Sequence, residues 1–294
     1  PTEPVTWAPD VDTEGRAPDT EALIHALDRA VALRLRSDVA VGTSLSGGLD
    51  SALVAASIRT VAPGLAVHAF NASFPGTAVD EWKHAEAVAK RLDLIVHRVE
   101  PTPGAFVADL DEMIERQTGP IESPTVYAQW CVMRRAADEG VTVLLDGQGA
   151  DETWGGYPKH AGFGLIDDVL HGRARWAASS LLRWRSYGAV PRPDIRQAAL
   201  LLAPGSTRSL LMRAGSARTR RCLGPALRSW GVYPVDPVAS AGGGTLLSRS
   251  CRADLGRALL PRLLRYADRN SMAWGREMRL PYLDPDLVAL GAAG

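Results

Sequence analysis

Val39-Ala-Val-Gly-Thr-Ser-Leu-Ser-Gly-Gly-Leu-Asp-Ser51 decides the reading of this 294-residue chain. Its first seven residues form an apolar run too short for a helix, which predicts a buried strand. Ser46-Gly-Gly-Leu-Asp-Ser51 then turns straight into a pattern that predicts a helix near Ser51–Thr60. Two adjacent glycines remove the side chains that would hold a ligand off the backbone, and the helix start aims N–H groups and a partial positive charge into the same space. Such a loop suits an anion, with Ser46 and Ser51 adding hydroxyl donors. Asp50 fits beside a phosphate only if a divalent cation lies between them, so Mg2+ is implied. Taken alone, the loop also reads as a plain Gly-rich turn. It is not a Walker P-loop, because no Gly-Lys-Ser/Thr occurs in the chain, and no GxGxxG follows the strand.

Outward from this segment the pattern alternates. A helical period runs from Thr20 to Arg36, with Asp19 and Thr20 as cap candidates. Strands are expected at Ala66–Ala72, Leu94–Val99 and Val141–Leu145, and helices at Glu81–Leu92, Phe106–Arg116 and Thr125–Glu139. Strand and helix in alternation imply right-handed crossovers and an α/β fold with a parallel, doubly wound sheet of five or a similar number of strands. From Ala161 onward the pattern is helical, broken by Pro191, Pro193, Pro204 and the Gly242–Gly244 run. The expected organisation is a Pro-, Asp- and Thr-rich linker over 1–18, an α/β part over 19–160 that carries the anion loop, and a helical part over 161–294.

Composition sets the class. Hydrophobic residues make up 46% and charged residues 22%, the balance of a globular protein with a sizeable core. No apolar run approaches the roughly 18 residues of a membrane span, and the first ten residues lack a signal peptide's order, so a cytoplasmic location is expected. Cys131, Cys222 and Cys251 have no CxxC spacing and are read as buried thiols. The 33 basic and 33 acidic residues cancel, yet between Ala161 and Trp230 12 Arg stand against 3 Asp. That stretch reads as solvated helix faces or as a surface for an acidic partner. The six histidines are scattered with no HExxH and read as ordinary helix or strand residues. Gly42-Thr-Ser-Leu-Ser46 lacks the last glycine of a serine-hydrolase elbow.

A second motif, Leu145-Asp-Gly-Gln-Gly-Ala-Asp-Glu152, follows the Val141–Leu145 strand, so its loop leaves the carboxyl edge of the sheet, where open α/β sheets bind ligands. There Asp151 is expected to meet Asp50 across the phosphates. Two carboxylates beside phosphates would repel them without metal, so Asp50 and Asp151 are assigned as Mg2+ ligands, directly or through water. Glu152 reads equally as a structural partner of a nearby Arg, and Asp268, Arg269, Glu277 and Arg279 as a buried ionic brace.

Ser46–Ser51 resembles the pyrophosphate-binding loop of the ATP-pyrophosphatase (PP-loop, adenine-nucleotide alpha-hydrolase) superfamily. Leu145–Glu152 with Gly155-Gly-Tyr157 resembles the second signature of glutamine-hydrolysing asparagine synthetases. Asp268-Arg-Asn-Ser-Met272 with Glu277, Arg279, Pro281 and Leu283-Asp284 resembles the third, and Arg34-Leu-Arg-Ser-Asp-Val39 also matches. The resemblance spans residues 5 to 290, weakest between 161 and 250. It implies an ATP- and Mg2+-dependent ligase that adenylates a carboxylate, the side chain of aspartate in asparagine synthetases, for attack by ammonia. It implies that Ser46, Gly47, Gly48 and Ser51 hold phosphates, that Ser44, Ala72, Asp146 and Gly147 flank the nucleotide, and that Asp50, Asp151 and Gln148 take part in catalysis. Neither nucleic acid nor a membrane is an expected partner, and a homodimer is left open.

Two departures bear on substrate. Many asparagine synthetases carry Glu where this chain has Gln148, and Gln cannot ionise. The family also has an N-terminal glutaminase with a first-residue cysteine and a catalytic Lys beyond the third motif. This chain runs from Pro1 to Gly294, so both ends are expected to be trimmed and ammonia is expected from a glutaminase domain outside it. A β-lactam- or macrolactam-forming cyclase and a non-catalytic homologue are the alternatives.

Overall fold

The computed structural model describes residues 19–119, 121, 123–186, 207 and 243–293. The predicted linker, Cys222 and much of the Arg-rich stretch lie outside them. Two compact units divide the chain: residues 1–150 with 260–294, and residues 151–259.

The first unit opens with α1 (Thr20–Arg34), which Asp19 caps by accepting from the Glu21 amide. There follow β1 (Val41–Ser44), α2 (Leu49–Val61), β2 (His68–Ala72), α3 (Trp82–Arg91), β3 (Ile95–Val99), α4 (Pro103–Gln117), α5 (Pro124–Asp138) and β4 (Val143–Leu145). Both α4 and α5 begin earlier than their apolar periods predict. Thr102 and Ser123 supply side-chain caps, and Pro103 and Pro124 occupy the first turn, where a missing N–H costs nothing. With Glu277–Arg279 as β5, the five strands are all parallel in the order β3-β2-β1-β4-β5, which is the doubly wound sheet the sequence implies.

The fifth strand, β5 (Glu277–Arg279), was not among the expected strands. It comes after α10 (Leu260–Ala273) and precedes a 3-10 turn at Pro281–Leu283 and α11 (Pro285–Ala293). Where the pattern places a helical part over 161–294, Leu260–Gly294 groups with the sheet because β5 pairs with β4.

Side-chain alternation builds a core on each face of the sheet. Leu45 and Ala69 pack with Ala55, Ala85 and Ala89 of α2 and α3. On the other face Phe70 and Leu144 pack with Val132, Met133 and Ala136 of α5. Burying Phe70, 1% exposed, contributes roughly 1.5–3 kcal/mol.

In the second unit, α6 (Ala150–Trp154) leads from the first unit into α7 (Pro158–Leu170), α8 (Ala174–Ser186) and α9 (Leu246–Ala253), followed by a π-helical turn at Asp254–Ala258. Among the described residues, Phe163, Leu246 and Ala253 pack together as a buried cluster. Asp167, 4% exposed, accepts from the amides of Leu246 and Leu247 at 2.9 and 2.8 Å and so fixes the start of α9 to α7. Cys131 is buried and Cys251 half-buried; burial, then the nearby Asp254 charge, pushes the Cys251 thiol up to about 12. Among the described residues no helix is long and apolar enough to cross a membrane.

Candidate active site

The chain leaves β1 for β2 on one side of it, then crosses after β3 to β4 on the other side. The strand order reverses between β1 and β4, the position where open α/β sheets bind ligands at their carboxyl edge. The loops after these two strands are the first and second motifs.

Gly47 takes φ +91°, a left-handed conformation that favours glycine, and a Cβ there would meet the Glu81 carbonyl oxygen at 2.9 Å. A Cβ on Gly48 would meet only the Ser46 hydroxyl, at 3.3 Å, so the loop leaves open space at the start of α2. Gly48 is the N-cap of α2 and no side chain caps that helix, so its end is suited to an external anion. The two serines shape the turn. Ser46 Oγ and Ser51 Oγ lie 2.9 Å apart, the Gly48 amide donates to Ser46 Oγ, and Ser51 Oγ donates to the Gly48 carbonyl. Asp50 sits in the first turn of α2, half-buried, its carboxylate favoured by the helix dipole.

Gly147 brings the second motif onto this helix start. A Cβ there would stand 3.1 Å from the Ser51 nitrogen and 3.3 Å from Asp50 Cβ. Asp146 anchors the loop: its amide donates to the Arg279 carbonyl and its Oδ1 accepts from the Gln148 amide at 3.0 Å. Burial raises the Asp146 pKa, opposed by the Ser44 hydroxyl and the amides of Gln148 and Gly147. Gln148 Oε1 is buried and accepts no hydrogen bond. Ser44 ends β1 and Ala72 ends β2, both on this same edge. Beside Ala72, Asn71 ties the edge together by donating to the Leu45 carbonyl at 2.7 Å.

The third motif braces these loops from β5. Gly149, at φ +96°, leaves no room for a Cβ against Leu283, 2.5 Å away. The Tyr282 hydroxyl, whose pKa is pushed up by burial and then by the Asp50 charge, donates to the Asp50 carbonyl at 3.3 Å. Tyr282 is a site residue the sequence reading passed over, although it stands between the quoted Pro281 and Leu283. Arg279 donates to the carbonyls of Arg34 and Arg36 at 2.7 Å and pairs with Glu277. Arg279 is a brace as expected, but Glu277 is 58% exposed, and Asp268 and Arg269 are exposed on α10, so the brace is not a buried one.

Asp151 belongs to the second unit. Burial raises its pKa, opposed by the charge of His160. Gly156 lies so close to it that a Cβ there would overlap the Asp151 carboxylate. Glu152, 1% exposed, accepts from the Tyr157 hydroxyl at 2.6 Å. Behind them Asp254, 2% exposed, binds His160 Nε2 at 2.8 Å and the Lys159 ammonium at 2.6 Å. This buried ionic cluster was not foreseen, because Asp254 is 94 residues from His160.

The chain is similar in sequence to known proteins over most of its length. The sequence pattern of the family described as asparagine synthase matches residues 22–293. A Mycobacterium tuberculosis (strain H37Rv) protein, provisionally named a glutamine-hydrolyzing asparagine synthetase, is 31% identical over 282 residues, covering 92% of this chain and 42% of that protein. Asparagine synthetase (glutamine-hydrolyzing) 1 of Bacillus subtilis (strain 168) is 30% identical over 132 residues, 45% of this chain and 20% of that one. The chain thus spans about two fifths of the length of the mycobacterial relative and a smaller share of the other. Among solved structures, an NH3-dependent NAD synthetase from Campylobacter jejuni overlaps with a TM-score of 0.34 at 19% identity, covering 48% of this chain and 62% of that one. By the family match over residues 22–293, the chain belongs to the asparagine synthase family.

Proposed function

We propose that this chain is the synthetase part of an ATP-dependent amide-forming ligase. A substrate carboxylate attacks the α-phosphate of ATP, forming an acyl adenylate and releasing pyrophosphate; ammonia then displaces AMP and leaves an amide. The carboxylate is taken as the side chain of aspartate, giving asparagine, because the relatives are named asparagine synthetases. The observation that carries the reading is the meeting of two loops at the switch point, with Gly147 against Ser51 at the uncapped start of α2.

In this reading Ser46, Gly47, Gly48 and Ser51 hold the β,γ-phosphates through amides and hydroxyls. Ser44, Ala72, Asp146 and Gly147 flank the nucleotide. Asp50 and Asp151 are the proposed carboxylates for Mg2+, which would neutralise charge developing on the phosphates. The uncapped helix start and the open space beside Gly48 fit such a triphosphate. Most of the acceleration then comes from positioning and from fixed dipoles.

Gln148 favours a second reading. A neutral side chain with an unpartnered buried oxygen offers a hydrogen-bond acceptor to an amine without taking its proton, which suits an amine carried on the substrate itself, as in a lactam-forming cyclase. Exchange of labelled pyrophosphate into ATP, run with a panel of carboxylates, separates the two. Exchange driven by aspartate supports the first reading, exchange driven only by larger amino-bearing carboxylates supports the second, and no exchange with any carboxylate sinks both.

A further inference from the structure

At the opposite edge of the sheet from these loops, three side chains from three separate elements converge. His68 opens β2, His97 lies on β3, and Glu139 is the C-cap of α5, immediately before the turn into β4. The register pairs His68 with Ile95 and Phe70 with His97, so the two histidines are diagonal neighbours on the face that α5 covers. His68 Nδ1 and His97 Nε2 are 2.9 Å apart, His97 Nδ1 is 3.3 Å from Glu139 Oε1, and one donor atom from each residue falls within 4.8 Å of the other two.

We propose that His68, His97 and Glu139 form a binding site for a divalent transition metal of the zinc class. Two imidazoles and one carboxylate are a donor set that suits Zn2+, with a water completing four-coordination, and imidazole nitrogen argues against Mg2+ or Ca2+. The two imidazoles are held before any ion arrives. Phe70 stacks on His97 with ring centroids 4.8 Å apart, and the two imidazoles stack at 5.0 Å with planes 10° apart. Arg135, one turn back on α5, binds Glu139 Oε1 at 2.5 Å, the kind of outer partner that fixes a ligating carboxylate. Zn–N bonds of about 2.0–2.1 Å to His68 Nδ1 and His97 Nε2 replace the shared proton with only a slight opening of their 2.9 Å separation, and the Glu139 carboxylate, which faces the other nitrogen of His97, turns about its side-chain bonds to complete the set. The bound ion ties the edge strand β3 to β2 and to the end of α5, so it acts on the stability of the sheet and not on the chemistry at its carboxyl edge.

The test uses the full 294-residue chain, stripped of metal with a chelator and titrated with Zn2+ by calorimetry and with Co2+ by visible absorption. Expected are one equivalent bound, a cobalt spectrum without a thiolate band, and a rise in Tm with Zn2+. Asp50→Asn retains this binding, while His68→Gln and Glu139→Gln each weaken it by at least roughly tenfold. If His68→Gln fails to fold, Glu139→Gln, whose side chain is 27% exposed in the native protein, carries the comparison. No saturable binding, binding undiminished in Glu139→Gln, or a thiolate band that places the ion on a cysteine would overturn the proposal.

Discussion

Gly147 lies against Ser51 so closely that a Cβ on the glycine would stand 3.1 Å from the serine's backbone nitrogen. The contact joins the loop after β4 to the first turn of α2, and its two nearest backbone atoms, the Ser51 nitrogen and the Asp50 carbonyl carbon at 3.3 Å, cannot swing aside. Gly147→Ala therefore forces the two loops apart by a few tenths of an ångström. The variant is expected to lose about 1–3 kcal/mol of stability, as overpacking does elsewhere, while pyrophosphate exchange falls by a larger factor. Thermal melts beside exchange rates check this; a variant as active as the parent would show that the contact does not position the site.

Asp50 and Asp151 are proposed to act on charge rather than on packing. Asp50→Asn and Asp151→Asn should each lower exchange by two orders of magnitude or more, about 3 kcal/mol of barrier, with Tm little changed. Raising Mg2+ should restore part of the loss. Full exchange in either variant removes that residue from the assignment.

Most of the sheet was legible in the sequence because four of its strands are apolar runs between helical periods. Val41–Ser44 and Val143–Leu145 could hardly be anything but buried strands. Glu277-Met-Arg279 was not legible. It is three residues long with an exposed end, and it is a strand because β4 and its flanking residues, the Thr142 carbonyl and the Asp146 amide among them, offer it partners. The loops of the site were readable from their glycines, whose need is local. The Asp254–His160–Lys159 cluster and the His68–His97–Glu139 group depend on residues brought together from distant positions, and no local pattern marks them.

Asp284 joins the third motif to the first matched stretch. Its carboxylate, 10% exposed, pairs with Arg34 at 3.1 Å and accepts from the Asp286 amide at the start of α11. Asp284→Ala removes a helix cap and leaves Arg34, 22% exposed, without its carboxylate. A loss of about 1–3 kcal/mol is expected by urea denaturation, with Asp284→Asn recovering the cap but not the ion pair. Equal stability of the Ala and Asn forms would mean that the cap contributes nothing.

Asp254 gives the second unit an acid limit. Burial works to raise its pKa, but hydrogen bonds and charge from His160 and Lys159 outweigh it and hold the carboxyl below 3.8. The unfolded chain therefore takes up this proton more readily than the folded one. The contribution is fully present above the unfolded value of 3.8 and is lost as pH falls below it through the folded value. Asp254→Asn should cost on the order of 3 kcal/mol at neutral pH, since it strands the Lys159 ammonium beside a buried position. It should also flatten the pH dependence of stability below pH 4, roughly the unfolded carboxyl range. Parallel acid titrations of the two proteins would show the Asp254 cluster to be inert.

Gln148 decides how the amine is handled. Its amide donates from the backbone to Asp146 while its side-chain oxygen accepts no hydrogen bond, so it can receive an N–H but cannot take a proton. If ammonia is the nucleophile, only the unprotonated fraction reacts, and ammonium-supported synthesis should rise with pH in proportion to free ammonia. Gln148→Glu places an ionisable group at the same position. It should lift the rate on the acid side and flatten the profile, with pyrophosphate exchange, which needs no amine, nearly unchanged. Measuring both reactions across pH separates the roles. A parent profile already flat on the acid side would mean that another group removes the proton, and exchange lost together with synthesis in Gln148→Glu would mean that Gln148 acts on the carboxylate and not on the amine.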